Sequence, residues 1–122
     1  MIAIGPLKLK VQLFCADRHA LGPGKAELLE AIDREGSVAA AGRAMGMSRR
    51  KCWILVERMN GAFVGPLVLT RNNGGPARGA RVTDLGREVA AAFRALEEQV
   101  RAAAEASPHR QQLTDRLAPP PK

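Results

Sequence analysis

The sequence predicts a mainly α domain with a small β component. Apolar residues recur at helical spacing in several separate segments of the 122 residues, whereas strict alternation of apolar and polar residues is confined to residues 7–13. A Gly-rich turn near residue 74 separates two short apolar runs, as in a β-hairpin. The 46% hydrophobic and 25% charged residues exclude a mainly disordered chain, and the length fits one domain, which we place at residues 1–106. No apolar run approaches the roughly 20 residues that cross a bilayer, so no membrane partner is expected.

The N-terminal part predicts one strand followed by one helix. Residues 7–13 alternate between apolar and polar types, which is typical of a half-buried strand. A break at residues 22–24 precedes a helix over 25–34, whose leucines and isoleucine follow helical spacing. Gly36 is expected to end this helix, because glycine adopts the left-handed cap conformation without steric cost.

Two capped helices are predicted next, joined by a tight turn. Ser37 is positioned to cap a short, alanine-rich helix over residues 38–45. After a turn at Gly46, Ser48 is positioned to cap a third helix, and cap and helix together span residues 48–60. The small side chains of the second helix allow the third helix to pack closely across it.

A hairpin completes the first part of the domain. Short strands are predicted at residues 67–69 and 80–82, with the turn chemistry of Asn, Gly and Pro between them. Helix, short helix, tight turn, helix and hairpin, in that order, form a winged helix-turn-helix, in which residues 70–82 are the wing. The predicted N-terminal strand precedes this unit.

A long C-terminal helix is predicted over residues 84–106, with Thr83 as its cap. It carries an apolar seam with heptad-like spacing, formed by Val89, Phe93, Leu96, Val100 and Ala103. A helix of this length extends about 34 Å, which is longer than so small a domain can cover. The seam therefore predicts a homodimer through this helix, although it is also able to pack against the first helix of its own domain. Residues 107–122 are predicted to be a disordered tail.

The positive charge is concentrated in one segment. The net charge is +7, and the segment from Arg43 to Arg81 contains eight basic residues against Glu57 alone, while the rest of the chain holds eleven of each sign. Three cations, residues 49–51, stand at the start of the third helix, where they oppose the helix macrodipole. This arrangement predicts that an anion, in particular a polyanion, binds there.

An enzyme is not expected from the residues present. The two histidines lie in a predicted turn and in the tail, and Gly22-Pro23-Gly24-Lys25 lacks the first glycine and the Ser or Thr of a phosphate-binding P-loop. Cys15 and Cys52 have neither metal-ligand spacing nor a disulfide framework, so we expect no metal, no cofactor and a cytoplasmic location.

Several segments resemble one family of bacterial regulators. "LKLKVQLF", "LGPGKAELLEAI", "GMSRRKCWILVERMN" and "PLVLTRNNGGPARGARVTDLG" look like the DNA-binding domain of molybdate-responsive (ModE-type) transcription regulators. The resemblance covers roughly residues 6–105, and the stretch over residues 36–59 is more distantly similar to the LysR-type helix-turn-helix. Arg49 stands where the family commonly has an aromatic residue after the capping serine.

The resemblance implies a dimeric regulator that binds double-stranded DNA in a sequence-specific manner. It implies a single-domain form without the family's molybdate-binding domain, so molybdate is not expected to bind this chain. The third helix would enter the major groove, and the wing would contact flanking backbone or the minor groove. The expected DNA-binding residues are Ser37, Ser48, Arg49, Arg50, Lys51, Arg58, Arg71, Asn72, Asn73, Arg78 and Arg81.

Each of these roles has a structural alternative. Capping alone accounts for Ser37 and Ser48, and Arg58 suits the C-terminal end of a helix dipole. Trp53 is expected to pack beneath the wing rather than to contact a ligand. At the level of the whole chain, the alternatives are a non-specific nucleoid-type DNA binder and a winged-helix adaptor that binds another protein.

Overall fold

The computed structural model describes residues 1–75 and 79–119, except for the side chain of Asn72. In this part of the chain, three antiparallel strand pairs accompany five helices. The strands are β1 Ile2–Ile4, β2 Leu7–Leu9, β3 Leu13–Cys15, β4 Arg18–Leu21, β5 Val68–Thr70 and β6 Ala80–Val82. The helices are α1 Pro23–Glu35, α2 Val38–Met45, α3 Arg49–Ala62, α4 Asp84–Ala106 and α5 Pro108–Asp115. The predicted class, mainly α with a small β component, is confirmed.

The N-terminal segment differs from the single strand predicted over residues 7–13. It forms two hairpins instead, in which β1 pairs with β2 and β3 pairs with β4. The burial pattern over residues 7–13 does alternate as expected, with the leucines and Val11 half-buried and the polar residues exposed. The pattern therefore indicated the correct faces, but the backbone leaves the ladder at residues 10–12 because β2 and β3 have different partners.

The caps predicted for the first three helices are confirmed. The backbone N–H of Gly36 donates to the carbonyl of Ile32 at 2.8 Å, with Gly36 in the left-handed conformation at φ 77°. The Ser37 hydroxyl accepts from the N–H of Ala40 at 3.0 Å, and the Ser48 hydroxyl accepts from the N–H of Lys51 at 3.1 Å. Helix α3 continues two residues past the predicted end at Asn60.

The hairpin of β5 and β6 packs against both α1 and α3. Leu67 and Val68 are fully buried, and Thr70 pairs with Ala80 at the far end of the ladder. The N–H of Ala80 donates to the carbonyl of Gly36 at 3.0 Å, which ties the hairpin to the corner between α1 and α2. A short 3₁₀ turn, Arg71–Asn73, follows β5.

Helix α4 has the bounds predicted for the long C-terminal helix, whereas the segment after it is not the disordered tail that was predicted. Thr83 caps α4, because its hydroxyl accepts from the N–H of Gly86 at 2.9 Å. Residues 107–122 were expected to be disordered, but α5 forms within them. Ser107 caps α5 through the N–H of His109, and Pro108 occupies the first helical position, where its missing N–H costs nothing. None of the residues of α5 is buried, in line with the low apolar content.

One apolar core joins these elements. It draws Leu21 from β4, the apolar face of α1, the Cys52, Val56 and Met59 stripe of α3, and Phe93 from α4. Phe93 therefore belongs to the chain's own core, and Val89 packs against the same core. Leu96 and Ala103 of the predicted seam are exposed and Val100 is half-buried. A dimer through this seam stays a prediction. No helix of the described residues is long and apolar enough to cross a membrane.

Candidate anion-binding site

A glycine at the contact between α2 and α3 determines how closely these helices approach. A Cβ atom built on Gly42 would lie only 2.7 Å from the Sγ atom of Cys52. Gly46 ends α2 in the left-handed conformation at φ 67°, and the N–H of Met47 donates to the carbonyl of Gly42 at 2.8 Å. The close crossing brings the first turn of α3 next to the first turn of α2.

A cleft of about 530 Å³ opens where these first turns meet the hairpin. Its cationic and aromatic walls are Arg49 and Trp53 of α3 and Arg71 at the end of β5. The remaining lining residues are small or apolar, namely Ser37, Val38, Ala39 and Gly79. Trp53 is half-buried and packs against the core, as expected, but its indole also lines the cleft.

The cleft has no carboxylate among its described lining residues. Arg49 and Arg71 are exposed, and neither forms an ion pair with a described acidic residue, in contrast to Arg87 and Arg94 of α4. The Ser37 hydroxyl accepts from the N–H of Ala40, so at this helix end the serine acts as a cap. Two free guanidinium groups beside an indole can bind an anion that carries a flat, apolar part.

The hairpin that carries Arg71 is held in place by two asparagine side chains. The Asn60 amide group bonds three backbone groups of residues 67 and 68, at 2.9 to 3.0 Å. The Asn73 side chain accepts from the N–H of Thr70 and donates to the carbonyl of Val68, so it is used within the turn. Sequence reasoning missed Asn60, because a polar residue near a helix end is normally solvated.

The structure does not gather the remaining predicted residues into this cleft. Lys51 and Arg58 line a separate cavity together with Lys10, His19 and Lys25, and Arg81 lines a third depression beside Asp84 and Arg87. Arg50 is exposed and lines none of these three sites, and Ser48 acts as a helix cap. Arg78 and the side chain of Asn72 lie outside what the structure describes. The predicted residues that line depressions are thus distributed over three of them, and a common role for these residues stays a prediction.

The described residues bring together no group of three or more His, Cys, Asp or Glu side chains that would hold a metal ion. Both cysteines are free, Cys15 exposed and Cys52 buried. Burial raises the pKa of the Cys52 thiol above its ordinary value, and the neighbouring Lys51 opposes this shift. The arrangement therefore favours the binding of an anion rather than of a bare metal cation.

Three relatives are named for molybdenum. The chain is 38% identical over 78 residues to the molybdenum transport protein ModE of Azotobacter vinelandii, a match that covers 64% of this chain and 29% of the relative. It is 37% identical over 92 residues to the molybdenum-pterin-binding protein MopA of Rhodobacter capsulatus, covering 75% of this chain and 35% of the relative. The MopB protein of the same organism is 36% identical over 77 residues, covering 63% of this chain and 28% of the relative. No family model matches the chain. The chain spans about a third of the length of these relatives.

These relatives correct the prediction made from the sequence. A DNA-binding transcription regulator, with double-stranded DNA as its partner and no binding of molybdate, was expected. That prediction is contradicted, because the relatives' names refer to molybdenum transport and to molybdenum-pterin binding. The names describe binding and transport proteins rather than enzymes. The similarity to ModE and Mop proteins agrees with the resemblance found in the sequence.

Proposed function

We propose, from this kinship with ModE and the Mop proteins, that the chain binds a molybdenum-containing anion in the cleft between Arg49, Trp53 and Arg71. The observation that carries the proposal is a cleft with two unpaired guanidinium groups, a half-buried indole and no carboxylate among its described lining residues. The names of the relatives point to molybdenum, and the cations and the indole of the cleft are the groups that would recognise an anion containing it. The role is one of binding, without catalysis.

The shape of the cleft favours a ligand larger than a bare oxyanion. Its volume of about 530 Å³ is within the range of small-molecule sites, which is about 300–1,000 Å³. Molybdate would occupy only the region near the guanidinium groups, whereas a molybdenum-pterin would also place its flat ring against the Trp53 indole. Molybdate and a molybdenum-pterin share the oxyanion chemistry, and the size of the cleft favours the second.

Trp53 makes a direct test possible. It is the only tryptophan of the chain, which has no tyrosine, and it lines the cleft, so the fluorescence signal comes from a residue of the site. Molybdate and a molybdenum-pterin are titrated separately at constant ionic strength, with sulfate as the anion control. Saturable quenching by either molybdenum species, at concentrations where sulfate has no effect, is the expected result.

Charge variants connect the signal to the cleft. Arg49→Gln and Arg71→Gln are each expected to weaken binding about tenfold, the loss of one charge-assisted contact. Arg43→Gln removes the same charge from an exposed position of α2 outside the cleft and serves as the control. Equal weakening in all three variants, or quenching that sulfate reproduces, would contradict the proposal.

We also propose a cytoplasmic location. Its support is the chemistry of the cysteines, both of which are free thiols, as is typical of proteins in a reducing compartment.

A further inference from the structure

A buried lysine lies at the start of α1, away from the cleft described above. Lys25 is only 5% exposed, and its ammonium group donates to the carbonyl of His19 at 2.8 Å. An ammonium group has three N–H donors, so two remain after this bond. Within the described residues, no carboxylate forms an ion pair with it. Burying an ammonium group without a counter-charge costs free energy, and Lys25 is nevertheless buried in this way.

Lys25 lines a cavity of about 280 Å³. Four cationic side chains line this cavity: Lys10, Lys25, Lys51 and Arg58. His19 is also in the lining, and no carboxylate is among the described lining residues. Burial, together with the charges of Arg58 and Arg18, lowers the pKa of Lys25. These side chains thus repel one another in the absence of an anion.

The backbone adds further donors to the same cavity. Gly22, the N-cap of the 13-residue helix α1, has no side chain to accept a hydrogen bond, and the first turn contains no acidic residue. The first hydrogen bond of the helix is donated by Ala26 to the carbonyl of Gly22. The N–H groups of Gly24 and Lys25 therefore have no partner within the helix, and residues 22–25 all line the cavity.

We infer that this cavity is a second anion site, which binds the phosphate group of a small phosphomonoester or free phosphate. A phosphomonoester carries about 1.5 to 2 negative charges at neutral pH and three strong acceptor oxygens, which match the buried ammonium group, the open helix end and the surrounding cations. Met47 and Leu55 form an apolar wall that would accommodate the organic part of an ester. The inference is independent of the molybdenum proposal, because the two sites have no lining residue in common.

The test is a calorimetric titration at constant ionic strength with three probes. Inorganic phosphate and glycerol phosphate distinguish the free anion from the ester, and molybdate is the third probe. Saturable binding of either phosphate, retained in Arg49→Gln, is the expected result. Binding of molybdate alone to this cavity would overturn the assignment to phosphate.

Two variants assign that binding to the cavity. Lys25→Met keeps the length of the side chain, removes the charge and is expected to abolish binding, while a cooperative thermal transition shows that it folds. Lys51→Gln lies at an exposed position and is expected to weaken binding about tenfold without risk to the fold. Arg43→Gln, with the same loss of charge elsewhere, should bind as the parent does. The inference fails if Lys25→Met and Lys51→Gln bind phosphate as tightly as Arg43→Gln.

Discussion

Replacing Asn60 tests how the hairpin is held against α3. The Asn60 carbonyl oxygen accepts from the N–H groups of Leu67 and Val68, at 2.9 and 3.0 Å, and its amide donates to the carbonyl of Val68 at 2.9 Å. The N–H of Thr83 donates to the carbonyl of Leu67, so by the alternation of an antiparallel ladder Val68 directs its own polar groups away from β6. Asn60 therefore bonds both of these groups, and Asn73 adds a longer bond to the Val68 carbonyl.

The expected cost follows from the groups that lose their partner. Asn60→Ala leaves the N–H groups of two fully buried residues, Leu67 and Val68, without a partner, and the Val68 carbonyl keeps only the longer bond from Asn73 at 3.4 Å. At about 1–3 kcal/mol for each unsatisfied group, and with partial compensation by water, the loss of unfolding free energy should be about 3 kcal/mol. Asn60→Asp keeps the acceptor and loses the donor, so its loss should be about 1 kcal/mol.

Urea unfolding followed by Trp53 fluorescence and by circular dichroism measures both values. The gap between the Ala and Asp variants is the informative quantity, because both change the same residue. A loss below about 0.5 kcal/mol in Asn60→Ala would refute the claim that these bonds hold β5 against the helix. Because β5 leads directly to Arg71, the Ala variant should also weaken binding of the molybdenum species.

Three further expectations concern other parts of the fold. Arg94→Gln should lower the free energy of unfolding by about 1 kcal/mol at neutral pH. Arg94 donates two hydrogen bonds to Glu30, at 2.7 and 3.1 Å, and this interaction lowers the pKa of Glu30. A carboxylate with a lowered pKa stabilises the folded state at pH values above its ordinary pKa of 4.5, and this stabilisation is lost as the pH falls through the lowered pKa. The unfolding free energies of parent and variant, measured in urea, should therefore converge at acid pH. Gly42→Ala should lower the free energy of unfolding by about 1–3 kcal/mol, because the added methyl group crowds the Cys52 sulfur. Adding Cys52→Ala to this variant should recover most of the loss, whereas additive losses from the two substitutions would argue against the contact. A thiol reagent should label Cys15 rapidly and Cys52 only on unfolding, since burial raises the pKa of Cys52; rapid labelling of both would show that α2 and α3 separate.

Local signals in the sequence were sufficient to predict most of the helices. Ser37, Ser48 and Thr83 each cap a helix by accepting a backbone N–H within the next turn, so cap and helix are contained in one short stretch of sequence. The strands were harder to predict from the sequence, because β1 has only three residues and its pairing depends on β2. Strand pairing is a relation between segments, and alternation within one segment indicates its faces but not its partner.

The distribution of the basic residues of α3 over two depressions has a geometric cause. Residues 49–51 were expected to point at one ligand, but consecutive helical residues diverge by about 100°. Arg49 and Trp53 are four residues apart and share one face, which lines the cleft beside the hairpin. Lys51, Leu55 and Arg58 follow the same rule on another face, which lines the cavity at the start of α1. The helical period, applied to charged residues as it was to apolar ones, predicts this division.

The same period identifies the lysine that sequence reasoning overlooked. Lys25 precedes Leu28, Leu29 and Ile32 by three, four and seven residues, so it continues the buried face of α1. A charged residue in register with a core face must either reach solvent or meet a counter-charge, and at 5% exposure Lys25 does not reach solvent. The described lining of the cavity contains no carboxylate, which is the reason for inferring that an anionic ligand supplies the opposite charge. The cations on two faces of α3 would thus contribute to two anion sites. Arg49→Gln should weaken only the binding of the molybdenum species, and Lys51→Gln only the binding of phosphate.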